Sequence, residues 1–403
     1  MNKSMNKSVN KSMNALENQS VNPHVNKTLI NNVIVNNNVV LIKVDYNISS
    51  PSDIFRIEQS KETINSILGK GFKVVLMTHL GRPKAAEEIY STRTIIDVVS
   101  NVLEHKVEFL SQFQSNNGVD YINIDEGFKR VKDEIINSKN KIFLLENVRF
   151  AQVENSMDKD LRMHLALNYR SLGSLLVDEA FSVSHRNDIT NTELRTLMNV
   201  EFGSTYKKEV LELSKLKSPT KPFYLYMGGA KVETKLPLIK NLLPKVDKVF
   251  IGGMICFTFL YICGLNGDAV PELFNAPIEY DYIEEVKEIY FKYKDKITLP
   301  VDFIYEPIAD QVIPGDIGPL SAALFANSLI EANTVFWNGA FGQVESKNFD
   351  YSTKVFVKKL IESECISYVG GGDTESILTV EDKSKITFVS TGGGATLDFI
   401  TKL

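Results

Sequence analysis

Four apolar runs in the C-terminal half of the chain each lead directly into a cluster of glycines. They are Tyr224–Met227 before Gly228, Lys248–Ile251 before Gly252, Ile366–Val369 before Gly370, and Ile386–Ser390 before Thr391 and three glycines. Ligands of parallel α/β sheets bind at the carboxyl ends of the strands, and glycine there lets the backbone come close to a ligand. Where a helix follows, its first N–H groups point at an anion. The pattern therefore predicts a site for a phosphate-rich ligand, most simply a nucleotide.

The strand-like runs of the N-terminal half end in charged and hydrogen-bonding side chains instead of glycines. These runs are Val39–Val44, Val74–Thr78, Ile142–Leu145 and Leu175–Val177. The residues that follow them are Asp45, Asn47, His79, Arg82, Asn147, Arg149, His185 and Arg186. Arginine forms paired hydrogen bonds with carboxylate and phosphate groups. This half is therefore predicted to bind a small anion, and two such sites facing each other across a cleft are typical of phosphoryl transfer.

Length and composition are typical of a soluble globular protein with more than one domain. A chain of 403 residues should hold two domains or more. The net charge of −5 argues against nucleic acid as the main partner, and no apolar stretch approaches the ~20 residues of a membrane-spanning helix. The three cysteines lack metal-ligand spacing and suit reduced thiols. We therefore expect a cytoplasmic monomer with no membrane partner.

Residues 1–28 form a low-complexity segment in which Asn recurs at every fourth position. Such a polar repeat cannot bury enough apolar surface to offset the entropy of ordering, so we expect a disordered extension. The alternative is an organelle-targeting helix, because apolar residues also recur at every fourth position. The absence of arginine before Arg56 and the presence of acidic Glu17 argue against that alternative.

From about residue 30 onward, strand-like and helix-like patterns alternate. Thr92–Leu103 and Met157–Leu172 have helical periodicity, and Gly203–Leu216 is predicted to be a helix that links the halves. The alternation predicts an α/β protein with two doubly wound, Rossmann-like parallel sheets facing a cleft and joined by a hinge helix. The predicted parts are an N-terminal domain at 29–202, an inter-domain helix at 203–217, a C-terminal nucleotide domain at 218–390, and a last helix at 391–403 that returns toward the N-terminal domain.

The sequence lacks the short motifs of several other enzyme classes. No GxxxxGK[ST] is present, which excludes a P-loop kinase, and no strand is followed by GxGxxG with a downstream acid, which argues against a dinucleotide dehydrogenase. A single glycine pair after a strand is more often a turn than a ligand site. Four of them, with Lys231, Lys235 and Asp373 close by, favour a ligand site.

Nine sequence blocks occur in the order that is characteristic of one enzyme family. They are VDYN (44–47), THLGRPK (78–84), LLENVRF (144–150), HR (185–186), GGAKVETK (228–235), DIGP (316–319), WNGAFG (337–342), GGGDT (370–374) and STGGGA (390–395). From about residue 38 to 400 the chain resembles phosphoglycerate kinase. The resemblance implies reversible phosphoryl transfer from 1,3-bisphosphoglycerate to ADP, on domain closure, giving 3-phosphoglycerate and MgATP.

The resemblance also implies two sets of binding residues. The glycerate set is Asp45, Asn47, Arg56, His79, Arg82, Arg149 and Arg186. The nucleotide set is Gly228, Gly229, Ala230, Lys231, Lys235, Asn338, Glu345, Gly370, Gly371, Gly372, Asp373 and Thr374. In these sets Glu345 would accept hydrogen bonds from the ribose, and Asp373 would hold Mg²⁺, a hard cation suited to one carboxylate plus phosphate oxygens.

The residues implied to act on the transferring group are cations and backbone N–H groups. They are Arg56, Lys231, Lys235, Gly371 and Gly394. Lys231 would follow the moving phosphoryl group, and Gly394 would open a last helix whose N-terminus faces the developing charge. The donor and acceptor oxygens are already anionic, so catalysis needs positioning and charge neutralisation but no general base.

Several residues depart from the family's usual pattern. Ala340 and Phe341 replace Pro and Met, Met254 replaces a Gly or Ala, Ser182 replaces a Gly and Asp188 replaces a His. The chain also stops at Leu403, soon after the last predicted helix begins. Two alternatives remain: a catalytically weakened relative that serves as a nucleotide-binding or regulatory protein, and an unrelated nucleotide-dependent dehydrogenase or ligase.

Overall fold

The computed structural model describes residues 38–48, 54–113, 124–265, 267, 276–308, 311–346 and 348–403. The extension predicted at residues 1–28 lies outside them. The chain divides into two compact units. The first contains the described residues up to Glu179 together with Asn187–Gly203, and the second contains Ala180–Arg186 and Ser204–Leu403. The domain boundaries predicted from the sequence stay a prediction.

The first unit is built on a six-stranded parallel sheet. Its strands are β1 Val39–Lys43, β2 Lys73–Met77, β3 Val107–Leu110, β4 Ile142–Leu145, β5 Leu175–Asp178 and β6 Asn199–Phe202. Its helices are α1 Phe55–Gly69, α2 Ile96–Leu103, α3 Ile124–Asn137, α4 Lys159–Ser171 and α5 Glu193–Leu197. The order in the sheet is β3-β4-β2-β1-β5-β6, so the chain reverses its direction of winding between β1 and β5.

The strands of this sheet are apolar on both faces because helices cover both faces. Val39 and Leu41 of β1 pack into one core, and Val40 and Ile42 pack into the other. All of β1 is buried. This explains why β1 reads as a continuous apolar run and not as an alternating one.

The second unit contains a second six-stranded parallel sheet and an antiparallel hairpin. Its strands are β7 Phe223–Met227, β8 Lys248–Ile251, β9 Ile297–Thr298, β10 Phe303–Ile308, β11 Gln311–Ile317, β12 Thr334–Asn338, β13 Ile366–Val369 and β14 Phe388–Val389. Its helices are α6 Ser204–Ser214, α7 Val232–Leu242, α8 Cys256–Leu265, α9 Ile283–Tyr293, α10 Pro319–Ser328, α11 Tyr351–Glu362, α12 Gly372–Ile377, α13 Val380–Lys385 and α14 Gly394–Thr401. The sheet order is β14-β13-β12-β7-β8-β9.

Two doubly wound parallel sheets confirm the predicted α/β class, while some element bounds differ from the prediction. The helix predicted at Thr92–Leu103 begins with a 3₁₀ turn at Thr92–Ile95, where the Ser91 hydroxyl accepts a hydrogen bond from the N–H of Arg93. The β10–β11 hairpin was not predicted. In the described part of the chain, no helix is long and apolar enough to span a lipid bilayer.

Within the second unit, Glu209 of α6 ties this helix to the end of β14. Its carboxylate accepts hydrogen bonds from Ser390 Oγ at 2.7 Å, from the Thr391 N–H at 2.8 Å and from Thr391 Oγ1 at 3.1 Å. Burial raises the pKa of Glu209 to about 7. The folded chain therefore holds this proton more tightly than the unfolded chain, in which a Glu pKa is about 4.3.

We predict that Glu209→Gln makes stability less dependent on pH. The stabilisation linked to the raised pKa of Glu209 is full below about pH 4.3 and is lost as pH rises through about 7. Gln cannot ionise, so the variant should gain roughly 2 kcal/mol relative to the wild type between about pH 5 and pH 8. Urea unfolding across this range measures the difference, and parallel curves for the two proteins would contradict the prediction.

Candidate active site

A glycine-lined cavity of the second unit lies at the carboxyl ends of its central strands. β7 and β12 are neighbours, and the chain continues from β7 toward β8 and from β12 toward β13 on the opposite side. Ligands of open α/β sheets bind at such a switch point. The cavity has a volume of about 710 Å³, which lies in the range of ligand pockets.

The glycines at this switch point let two backbone segments cross in close contact. Gly228 donates its N–H to Asn338 O at 2.9 Å, and Gly229 donates to Ala340 O at 2.8 Å. Gly339 has a φ of +93°, and a Cβ added there would lie 2.4 Å from the carbonyl carbon of Gly228. Gly228 and Gly339 are therefore required for the crossing of the two loops, whatever ligand binds beside them.

Asn338 organises the polar end of the cavity. It is fully buried at the end of β12. The Lys235 ammonium donates to its Oδ1, and its Nδ2 donates to the carbonyl oxygen of Gly370. The neighbouring Gly339 N–H donates to Thr374 Oγ1 at 2.7 Å. One buried amide thus links the lysine of α7 to the glycine loop after β13.

Of the nucleotide set implied by the sequence, seven residues line the cavity. They are Gly229, Ala230, Lys231, Lys235, Glu345, Gly371 and Thr374. Gly228, Asn338 and Gly370 lie directly behind them in the hydrogen bonds just described. Lys231 and Glu345 are exposed. Asp373 is the second residue of α12. Its side chain is not among the parts of the chain that the structure describes.

The glycine loops after β13 and β14 approach each other. A Cβ added at Gly393 would lie 3.9 Å from the Gly372 N–H nitrogen, with no other described atom nearer. Apart from the chain neighbours of Gly372 and the backbone of its own helix, no described atom lies within 4 Å of a Cβ placed on that residue. The amino ends of α12 and α14 therefore border the same open space. Gly394, the first residue of α14, lies beside the ring of His185.

Apolar side chains also line the cavity, and the sequence analysis missed one acid among the lining residues. The apolar residues include Met254, Phe257 and Phe303. Asp316 also lines the cavity, and its carboxylate accepts the N–H of Ser352 at 3.0 Å and the Ser352 hydroxyl. Burial raises the pKa of Asp316 to about 6. Asp316 belongs to the DIGP block, so the motif marked the position without indicating a role.

Phe341, one of the departures from the family pattern, is mainly a core residue. It is fully buried and packs edge-on against Phe325 at 5.3 Å and Phe356 at 5.1 Å between ring centroids. It also reaches the cavity wall. The substitution is therefore accommodated by aromatic packing on β12 and its helices.

In the first unit, Gly81 joins two of the predicted glycerate residues. Its N–H donates to Asn47 Oδ1 at 2.7 Å, and its carbonyl oxygen accepts from Arg149 Nη1 at 2.7 Å. Its φ is +62°, and an added Cβ would lie 2.4 Å from the ring of Tyr90. Only glycine fits this position, because the left-handed backbone and the tyrosine both exclude a side chain.

Other glycerate residues of the first unit lie at or near the ends of β1 and β2. The Arg56 guanidinium, in the first turn of α1, forms an ion pair with Asp45 after β1. His79 is buried after β2, and Arg82 is exposed in the loop that follows. Arg186 belongs to the segment Ala180–Arg186 of the second unit, where its N–H donates to Val183 O at 3.1 Å.

Asn147 supports this loop and was predicted only as a strand-end residue. Its Nδ2 donates to Leu80 O at 2.7 Å and to Tyr90 O at 2.8 Å, and its Oδ1 accepts the N–H of Arg149 at 3.0 Å. A buried amide therefore fixes the backbone on both sides of Gly81. Its place just beyond a buried strand, after Leu145 and Glu146, was the signal for it.

Comparison with known proteins identifies close relatives along almost the whole chain. The family model described as phosphoglycerate kinase matches residues 30–402. The phosphoglycerate kinase of Finegoldia magna is 32% identical over 401 residues, covering 93% of this chain and 96% of that protein. That of Nitratiruptor sp. is 34% identical over 391 residues, covering 90% and 92%.

Solved structures with the same architecture carry the same description. Phosphoglycerate kinase from Coxiella burnetii matches with a TM-score of 0.71 at 26% identity, covering 91% of this chain and 93% of that one. The enzyme from Pyrococcus horikoshii matches with a TM-score of 0.73 at 25% identity, covering 91% and 94%.

We predict that Gly81→Ala destabilises the first unit. The alanine needs an unfavourable backbone conformation and a shift of Tyr90, so the free energy of unfolding should fall by about 1–3 kcal/mol. Gly69→Ala is the matched control, because Gly69 ends α1 and no described atom beyond its own helix and chain neighbours lies within 4 Å of an added Cβ. Urea unfolding measures both variants. Equal stability of the two would show that Gly81 is not constrained.

Proposed function

Because the chain belongs to the phosphoglycerate kinase family, we propose that it transfers a phosphoryl group reversibly from 1,3-bisphosphoglycerate to ADP, giving 3-phosphoglycerate and ATP. The observation that carries the proposal is the cavity at the switch point between β7 and β12. There Lys231 and Lys235 lie beside the glycine loops after β7 and β13. Backbone N–H groups and lysines are suited to neutralising phosphate charge.

In the proposed complex the nucleotide occupies this cavity. Lys235 binds terminal phosphates, and its bond to buried Asn338 supports that role because it holds the ammonium in place. Lys231 precedes α7 and is exposed at the cavity, so it can follow the transferring group. Glu345 accepts hydrogen bonds from the ribose. The apolar wall that includes Met254 and Phe257 contacts the base.

Mg²⁺ is proposed to accompany the nucleotide at Asp373. Among the described residues no group of three or more His, Cys, Asp or Glu side chains could hold a metal by itself. Asp373 is the second residue of α12 and follows Gly372 in the chain. A single carboxylate suits an ion whose other ligands are phosphate oxygens and water. Such an ion neutralises charge on the phosphates.

The glycerate substrate is proposed to bind Asp45, Asn47, Arg56, His79, Arg82, Arg149 and Arg186. The hydrogen bonds of Gly81 support the pairing of Asn47 with Arg149 in one site. Arg56 is oriented by Asp45 and is proposed to contact the transferring phosphoryl group. Gly371 and Gly394 would present N–H groups to that charge. No side chain needs to remove a proton, and in-line transfer depends on positioning and on closure of the domains.

We further propose that the protein works as a monomer in the cytoplasm, with these metabolites as its partners and without membrane or nucleic acid. The competing hypothesis is a catalytically weakened relative with a binding or regulatory role. It is disfavoured because Arg56, Lys231, Lys235 and Asp373 are all present.

A coupled assay tests the function. The purified chain is given 3-phosphoglycerate and MgATP, and an NADH-linked reporter follows 1,3-bisphosphoglycerate. We expect steady turnover that falls at least ~100-fold in Lys231→Ala, because a cation at the transferring group is lost. Lys240→Ala, at an exposed lysine of the same helix paired with Glu285, is the matched control and should keep wild-type turnover. Absence of wild-type turnover while MgADP still binds would favour the weakened relative.

Arg56→Ala should reduce kcat by roughly 100-fold or more while KM for MgATP changes by less than about threefold, because the proposed contact forms at the transferring group. Arg130→Ala, which removes a surface arginine of α3 paired with Glu134, is the control. Steady-state kinetics separate the two constants. A loss confined to nucleotide affinity would rule out the proposed role of Arg56.

A further inference from the structure

A cluster of buried ionisable side chains lies at the carboxyl ends of β1 and β5, and none of them belongs to the proposed binding sets. Its buried members are Lys43, Glu154, Asp178 and Asp188, and the partly buried Arg195 is paired with Asp178. Lys43 is only 5% exposed and Glu154 only 1%. Burying charges is costly unless they are paired and hydrogen-bonded. Such a cluster therefore requires an explanation beyond packing.

The cluster and its neighbour Arg162 hold the segment 187–192. Lys43 Nζ donates to Asn191 Oδ1. Glu154 Oε1 accepts Thr190 Oγ1 at 2.9 Å and the Thr190 N–H at 3.3 Å. Arg162 donates to Asn187 O at 3.1 Å and to Thr192 Oγ1 at 2.8 Å. The segment is thus bound to β1, to the turn at Gln152–Asn155 and to α4 by side chains that are almost entirely buried.

This segment is joined directly to a residue of the proposed glycerate site. Asn187 follows Arg186 in the chain, and it is the residue at which the chain returns from the second unit to the first. The backbone position of Arg186 therefore depends on how firmly the next six residues are held.

We propose that Lys43 and Glu154 are positioning residues for the glycerate site: by fixing residues 187–192, they set the backbone from which Arg186 projects. The proposal rests on the proposed function, because it assumes that Arg186 binds the glycerate substrate. Neither side chain is proposed to touch substrate.

The charges of the cluster balance near neutral pH. Burial lowers the pKa of Lys43 to about 8, and burial together with Asp188 raises the pKa of Glu154 to about 8. At pH 7 Lys43 is therefore largely charged and Glu154 largely neutral. The cations Lys43 and Arg195 then balance Asp178 and Asp188, and Arg195 is paired directly with Asp178.

The neighbouring pair of Arg162 and Glu193 carries no net charge and does not alter this balance. Its two charges are joined at 2.6 Å.

Raising the pH above about 8 should remove this balance. Glu154 becomes an anion beside Asp188, and this ionisation carries the change because its negative charge favours the protonated form of Lys43. Glu154 Oε2 has no hydrogen-bond partner among the described residues, so the ionised carboxylate would be poorly satisfied. Repulsion between the Glu154 and Asp188 carboxylates should then oppose the hydrogen bonds that Thr190, in the same segment as Asp188, donates to Glu154, and the segment should loosen in a pH window set by the cluster.

The test measures KM for 3-phosphoglycerate and for MgATP at about pH 7.5 and about pH 9, where the substrate phosphate, with a second pKa near 6, stays a dianion. For the wild type we expect KM for 3-phosphoglycerate to rise about fivefold over this range while KM for MgATP changes by less than about twofold. Lys43→Met should raise KM for 3-phosphoglycerate about tenfold at the lower pH, and Lys43→Arg should restore most of the loss. Glu154→Gln, which cannot ionise, should flatten the rise.

Lys73→Met is the matched control. Lys73 lies at the opposite end of the same sheet, where its ammonium donates to Ile135 O at 2.6 Å and to Ser138 O at 2.8 Å. Its loss can lower stability but should leave both KM values unchanged. Equal changes in KM for Lys43→Met and Lys73→Met would reduce Lys43 to a structural role and overturn the proposal.

The outcomes separate this proposal from the proposed function. If the wild type does not turn over, the function itself fails. If the wild type turns over and the rise in KM above pH 8 persists in Glu154→Gln, only the positioning proposal fails. If Lys43→Met does not fold, Glu154→Gln decides the question. The proposal then requires that the ratio of KM for 3-phosphoglycerate to KM for MgATP in this variant is the same at the two pH values.

Discussion

The parallel pairing of β7 with β12 is the constraint on which the candidate nucleotide site depends. Met227 and Asn338 are register partners at the ends of these buried strands, so the loops that follow must cross at once. Only residues without side chains can cross so closely, which explains the glycines at 228 and 339. The same crossing brings α7, with Lys235, next to the loop after β13. The chemistry of the site therefore follows from sheet topology.

The two units build their proposed anion sites by different means. In the second unit, backbone N–H groups at glycine loops and two lysines lie around a cavity. In the first unit, the cations are arginines on loops, and buried amides and backbone groups hold these loops in place. A glycine loop lets the backbone itself approach phosphate. A carboxylate with a phosphate is better matched by guanidinium groups, whose planar forks need fixed orientation.

The sequence predicted the fold class, and the strands that it located were those with uninterrupted apolar runs. β8 and β13 have the predicted bounds, whereas the run at Ile386–Ser390 forms only the two-residue strand β14. β12 was not predicted as a strand, since its tryptophan and asparagine were read as part of a motif. The link of Asn47 through Gly81 to Arg149 joins residues 34 and 68 positions apart. No local pattern reports such a link, and the roles of the site residues stay predictions.

Three buried carboxyl groups of the described residues lie at or beside the proposed sites. Glu209 binds the residues that lead into the glycines at 392–394, Asp316 lines the cavity, and Glu154 binds the segment after Arg186. A buried carboxyl is a poor source of stability, because desolvation offsets most of its attraction to partners. It does, however, restrict the loop to conformations that satisfy it, since any other conformation leaves a buried polar group without a hydrogen bond. These loops carry the residues that are proposed to bind anions. Anion binding depends more on a single, fixed loop conformation than on the stability of the fold. Carboxyl groups are therefore buried at the proposed sites in spite of the desolvation cost, because a loosely held loop would weaken binding most at these sites.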